Sequence, residues 1–256
     1  MAGHSKWANI KHRKGRQDAK RGKLFAKLTR AIEAAARAGG GDPEGNATLA
    51  TAIQKAKDAS VPKDNIERAV ARGAGGVEGA EYEEFYYEGY APGGVALLIH
   101  VLTDNRNRAA SDVRAVFTRS GGSLGEPGSV GYLFEQRGLI LAGGDEETVM
   151  MAALEGGADD ITESGDQWEI VSAPGVLGAI RAELEAADIV IDQAEVTQMP
   201  STSVPVDAAT APKVLRIVDA LEDLDDVQAV YANFDIPDEV LAEVGLSLIH
   251  ISEPTR

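Results

Sequence analysis

The sequence predicts an α+β protein: an N-terminal three-helix domain followed by two α/β domains of the ferredoxin-like, split βαβ kind, the middle one discontinuous. Three observations lead there. Apolar residues recur at helical spacing up to about residue 72, and short strand-like runs replace them from about residue 85. From Leu139 the elements read as one βαββαβ unit. A helix and a strand follow that unit and have the right parts to complete the sheet begun at Phe85.

The first fifteen residues, MAGHSKWANIKHRKG, hold four Lys/Arg, two His and one Trp without a helical or strand period, and read as an arm. From about Arg16 to Ala38, Leu24, Phe25, Leu28, Ile32, Ala35 and Ala36 step by threes and fours, which predicts an amphipathic helix stopped by Gly39, Gly40 and Gly41. Two shorter helices are expected over Ala47–Ser60 and Lys63–Arg72, the second opened after Pro62 and closed by Gly73. The glycine-rich run 73–79 reads as a linker.

Phe85–Tyr90 and Val95–Leu102 are strand candidates separated by the turn signal Ala91-Pro92-Gly93-Gly94. A helix over Arg106–Arg119 follows N-cap chemistry at Thr103-Asp104, and Val130–Glu135 is expected to be a strand. The βαββαβ unit then comprises a strand ending near Ala142, a helix over Glu146–Leu154, strands near Ile161 and over Trp168–Ser172, a helix over Gly175–Ala187 and a strand over Ile189–Gln198. The remaining pair is a helix over Ala208–Leu224, capped by Asp207, and a strand over Val227–Asn233. The expected domains are therefore 1–79, 80–136 together with 201–245, and 137–200 inserted between them. Residues 246–256, LSLIHISEPTR, resemble a translated sequencing adapter and are read as a non-native tail.

The net charge of −16 conceals a division: residues 1–73 carry 16 Lys/Arg against 7 Asp/Glu, a net of +9, and the remainder carries 9 against 34, a net of −25. A basic segment on an acidic chain points to a nucleic-acid partner for that segment. The chain has no cysteine, which removes disulfides, thiol catalysis and cysteine-ligated zinc and fits a reducing, cytoplasmic setting. Its longest apolar run, Val95 to Leu102, is far short of the ~20 residues that span a bilayer, so no membrane partner is expected.

Catalytic templates are missing. There is no G-x-x-x-x-G-K-[ST] loop, no G-x-S-x-G elbow and no H-E-x-x-H, so no enzymatic activity and no cofactor are expected. His4 and His12 are too few ligands for a metal site. The acidic runs Asp159-Asp160 and Asp223-Leu224-Asp225-Asp226 lack the alternating oxygen ligands and glycine of a calcium loop and read as solvated faces.

The basic constellation carries the functional expectation. Residues 1–37 contain eleven Lys/Arg against two acids. At ~100° per residue the helical stripe of Arg16, Lys20, Lys23, Lys27, Arg30 and Arg37 lies roughly opposite the apolar face. With Lys6, Lys11, Arg13 and Lys14 these cations would neutralise phosphates, while Trp7, His4 and His12 would stack on unpaired bases. A second cluster comprises Arg106, Arg108, Arg114 and Arg119, four of the nine Lys/Arg beyond residue 73. Two uses stand open for it: extending the binding surface, or pairing with nearby carboxylates.

Five stretches in order, GHSKWANIKHRKGRQDAKRGKLFAKLTRAI from Gly3, SVPKDNIERA from Ser60, YEGYAPGGVALLI from Tyr87, LTDNRNRAASDVR from Leu102 and GSVGYLFEQRG from Gly128, resemble the YebC family. The resemblance implies three domains with a discontinuous middle one, a DNA-binding transcriptional regulator, and no enzymatic activity. It carries an alternative, since a mitochondrial relative activates translation of a cytochrome oxidase subunit and bacterial relatives are linked to the ribosome and to relief of stalling at proline-rich stretches. The partner implied is DNA, ribosomal RNA or the ribosome.

Overall fold

A computed structural model describes residues 18–75, 81–237 and Val240. The arm with His4, Lys6, Trp7, Lys11, His12, Arg13 and Lys14, together with Arg16, most of the expected linker, and the tail 246–256 lie outside these residues.

Three helices open the described chain: α1 (Asp18–Gly39), α2 (Ala47–Asp58) and α3 (Lys63–Ala74). They enclose a core of Leu28, Ile32, Leu49, Ala56, Ile66 and Ala69. Buried Asn46 ties two of them together: its Oδ1 accepts the Leu49 amide at 3.0 Å as the cap of α2, and its Nδ2 donates to the carbonyls of Ala35 and Gly40, both at 2.9 Å. Gly73 does not terminate α3 as expected. It lies buried inside the helix, where a Cβ would stand 2.4 Å from the Glu33 carbonyl oxygen and 2.6 Å from Ala36 Cβ. The missing side chain is what lets α3 cross α1 so closely.

The middle unit begins with the hairpin of β1 (Glu83–Ala91) and β2 (Val95–Thr103), turned through Gly93 and Gly94 at positive φ. Helix α4 (Arg106–Ser120) follows. Its cap is Asn105, which accepts the Arg108 amide, one residue beyond the expected Thr103-Asp104 pair. Short β3 (Ser123–Leu124) returns to β1. Much later come α7 (Ala211–Glu222) and β9 (Val227–Ala232), which pairs antiparallel with β2, so the sheet order is β3-β1-β2-β9 and the unit is discontinuous. One face of this sheet packs on α4 and α7 through Leu97, Ile99, Val113, Phe117, Leu215 and Ile217.

Between these parts lie β4 (Phe134–Ala142), α5 (Glu146–Glu155), β5 (Asp160–Ser164), β6 (Gln167–Ser172), α6 (Leu177–Ala186) and β7 (Ile191–Pro200). Their antiparallel order, β5-β6-β4-β7, is that of a ferredoxin-like βαββαβ unit. Short β8 (Val204–Pro205) and β10 (Phe234–Asp235) form a separate parallel pair.

The expected strand over Val130–Glu135 is corrected. Residues Gly131–Leu133 form a 3-10 turn, and β4 runs on from Phe134 as one strand. The Glu88 carboxylate dictates this: it accepts the amides of Gly128 (2.7 Å), Val130 (2.6 Å) and Gly131 (2.7 Å), curling the loop around itself instead of leaving those donors for a ladder. Burial pushes the Glu88 carboxyl up, but the three donated amides outweigh it and hold it below the usual carboxylate range.

Candidate nucleic-acid interface

The expected stripe divides along α1. Lys20 lies in the helix at its beginning, and the described side chains of the stripe start with Lys23. Lys23, Lys27 and Arg30 advance by four and three residues, which at ~1.5 Å per residue sets them along about 10 Å of one face. Arg37, about two turns further, pairs with Glu33 at 3.1 Å and lies over the Tyr82 ring.

These three cations meet the turn that joins α7 to β9. Lys23 Nζ donates to the Asp223 carbonyl at 3.2 Å and lies 3.8 Å from its carboxylate. Lys27 Nζ donates to the Glu222 carbonyl. Arg30 Nη1 donates to the Asp225 carbonyl at 2.6 Å and to Asp226 Oδ1 at 3.3 Å. Two forces place them there. The last carbonyls of a helix lack intrahelical partners and carry the negative end of its dipole, and this turn adds aspartates at 223, 225 and 226.

The run 223–226 is therefore not simply the solvated face expected of it. Asp223 and Asp225 are exposed, but the Asp226 side chain is only 7% accessible and is held by two guanidinium groups. Arg108 supplies the better geometry, with Nε 3.0 Å from Oδ2 and Nη2 2.9 Å from Oδ1, while its Nη2 also reaches Asp104 at 2.7 Å. The Asp104 carboxyl is held below its usual range chiefly by that hydrogen bond from Arg108. Among the described residues no group of three or more His, Asp or Glu is placed to hold a metal.

The second cluster disperses. Arg106 pairs with Glu83 at 3.2 Å and stacks over the Phe85 ring at 4.6 Å; Arg119 Nε donates to the Ala115 carbonyl of its own helix. Arg114 is exposed on α4. Of the two uses open to this cluster, Arg106 and Arg108 display carboxylate pairing. A cavity of about 260 Å³ lies beside the stripe, lined by Lys23, Arg108, Asp112, Asp223, Asp225 and Asp226 among others. With two cations against four aspartates lining it, the cavity is net negative and disfavours an anion.

The helical unit also touches the inserted one. Arg181 grips Asp58 with both terminal nitrogens, at 2.9 and 3.0 Å, and Lys55 reaches Glu195 at 2.5 Å. Burial raises the Asp58 carboxyl, yet the hydrogen bonds from Arg181 and Gln54 prevail and lower it. Sequence reasoning missed both the turn and this clamp, because the partners lie more than 120 residues apart.

Two family models match the chain: the TACO1/YebC protein N-terminal domain over residues 5–76, and the TACO1/YebC second and third domain over residues 82–234. A protein of Rubrobacter xylanophilus named "Probable transcriptional regulatory protein" is 57% identical over 249 residues, spanning 96% of this chain and all of that one. A protein of the same name from Acidothermus cellulolyticus is 58% identical over 248 residues, spanning 95% of this chain and all of the relative. A crystal structure of a conserved hypothetical protein from Aquifex aeolicus superposes with a TM-score of 0.79 at 48% identity, covering 88% of this chain and 94% of that one. No helix among the described residues is long and apolar enough to cross a membrane.

Proposed function

Since the chain belongs to the TACO1/YebC family, we propose that it is a nucleic-acid-binding regulator of gene expression that grips phosphates through residues 4–16 and the cations of α1. The observation that carries this reading is the charge division: eleven Lys/Arg against two acids in residues 1–37, on a chain whose net charge is −16. The relatives' name favours a role in transcription, for which DNA is the partner we propose.

A second reading, a translation factor that contacts ribosomal RNA, is favoured by one feature of α1. Its sequence, DAKRGKLFAKLTRAIEAAARAG, contains no Asn or Gln to read base edges, and its cations suit backbones or structured RNA better than a major groove. Arg114 and Arg119 are secondary candidates for the same surface.

The test compares the wild-type chain with a Lys20→Gln, Lys23→Gln, Lys27→Gln, Arg30→Gln variant on random duplex DNA and in ribosome co-sedimentation across a salt series. Each lost phosphate contact flattens the log–log salt dependence by ~0.7–0.9. Ribosome pelleting that excess DNA does not displace supports the translational reading; DNA retention without pelleting supports the transcriptional one. A variant that binds both as well as the wild type removes the stripe from the proposal.

A further inference from the structure

We infer that the turn 222–226 is a built-in competitor for the cations of α1, occupying the face that polyphosphate must take and releasing it when nucleic acid binds. This inference rests on the function proposed above and concerns the regulation of the same site.

The turn offers α1 a row of oxygen acceptors, as a nucleic-acid backbone would. Lys23, Lys27 and Arg30 each donate to a main-chain carbonyl, of Asp223, Glu222 and Asp225 respectively. Lys23 and Arg30 also face carboxylates. Amino and guanidinium groups that spend donors and charge on the turn have less of both for phosphate oxygens, so docking on the turn and binding of a polyanion along this face compete.

The contact is constructed so that it can open. Asp226 is the only one of the turn's three aspartates that is buried, and Arg108, from the same middle unit, holds both of its oxygens. The amide of Leu102 on β2 further fixes the Asp226 carbonyl at 2.9 Å. When α1 leaves, Arg30 departs but the buried carboxylate keeps its bidentate partner, and no uncompensated charge is stranded. Of the contacts that break, those of Lys27 with the Glu222 carbonyl and of Arg30 with Asp226 are partly buried, whereas that of Lys23 with Asp223, side chains 50% and 59% exposed, is at the surface. Pairs of that kind are weak and screened by salt, within reach of displacement by a polymer that presents many phosphates at once.

The experiment measures fluorescence anisotropy of a fluorescein-labelled 20-base-pair random duplex, and separately of a labelled RNA hairpin, with four full-length proteins. They are the wild type, Asp223→Asn with Asp225→Asn, the quadruple stripe variant above, and a charge-matched control, Glu155→Gln with Glu163→Gln. The turn substitutions remove exposed charges only, and the control removes two exposed acids in the inserted unit. The turn variant is expected to bind about three- to fivefold tighter, as loss of the half-exposed Lys23–Asp223 pair implies, with the control changing less than about twofold.

If the turn variant gains no affinity, or the control gains as much, while the stripe variant still loses binding, competition is overturned and the binding function stands. If the stripe variant keeps wild-type affinity, the reading of the stripe itself fails. Circular dichroism and the urea midpoint of each variant confirm that the fold is retained before the affinities are compared.

Discussion

Gly73→Ala sets helix propensity against packing, and the structure decides the sign. On propensity alone, replacing glycine by alanine inside a helix stabilises it by ~1 kcal/mol. At Gly73, however, the new Cβ would stand 2.4 Å from the Glu33 carbonyl oxygen, 2.6 Å from Ala36 Cβ and 3.2 Å from the Arg37 amide nitrogen. Two of these neighbours are backbone and cannot rotate away, so α1 and α3 must part by about 1 Å, a gap that forfeits a quarter to a half of the dispersion at the surrounding contacts. Overpacking of this kind costs ~1–3 kcal/mol, and a crossing blocked by backbone belongs at or above the upper end, leaving a net loss of about 2 kcal/mol after the propensity gain. Gly22 is the control, since a Cβ there has nothing within 4 Å and Gly22→Ala should show only the propensity effect. Hydrogen exchange read on α1 and α3 peptides, with thermal unfolding by circular dichroism, measures both. A Gly73→Ala protein whose helices exchange as slowly as those of Gly22→Ala would refute the claim that the missing side chain sets the crossing.

The two arginines on Asp226 should separate in cost. Arg108→Ala removes the bidentate partner of a carboxylate that is 7% exposed and is expected to destabilise by about 2–4 kcal/mol in urea titration, discounted because Arg108 itself is 46% exposed. Arg30→Ala leaves that partner in place and should cost less than ~1 kcal/mol; equal losses would show that Arg108 does not dominate. Glu88→Gln leaves only one carbonyl oxygen for three amides and should cost about 2 kcal/mol, seen as faster exchange at residues 128–131. In the wild type the Glu88 carboxyl is held below its ordinary value of 4.5 in the fold, so its contribution is fully present above pH 4.5 and is lost as pH falls through the lower native value. Exchange at 128–131 that is unchanged between pH 6 and 3, beyond the intrinsic rate, would count against that role.

The fold was legible where its determinants are local. The apolar period of Leu28, Ile32, Ala35 and Ala36 announces α1, and the order of elements after Leu139 announces the inserted unit. Readings failed where a distant residue decides. Gly73 looks like a helix stop until Glu33 and Ala36, some forty residues earlier, are found beneath it. Residues 130–133 look apolar enough for a strand, but Glu88 takes their amides. The two-residue strands β3, β8 and β10 are too short to show any period. At the candidate site, the cations of α1 were visible as a stripe, whereas their carbonyl partners at 222–225 belong to a segment whose proximity only the tertiary fold creates.

The discontinuity of the middle sheet sets a timetable for synthesis. Strand β2 is apolar on both faces and needs β9 along its open edge, yet about 120 residues separate Thr103 from Val227. At roughly 5–20 residues per second of translation, that edge waits about 6–25 s for its partner, long enough for the βαββαβ unit to form first. During that interval the nascent chain exposes an unpaired, adhesive strand, and chaperone capture or slow elongation would protect it most before codon 227 has been read.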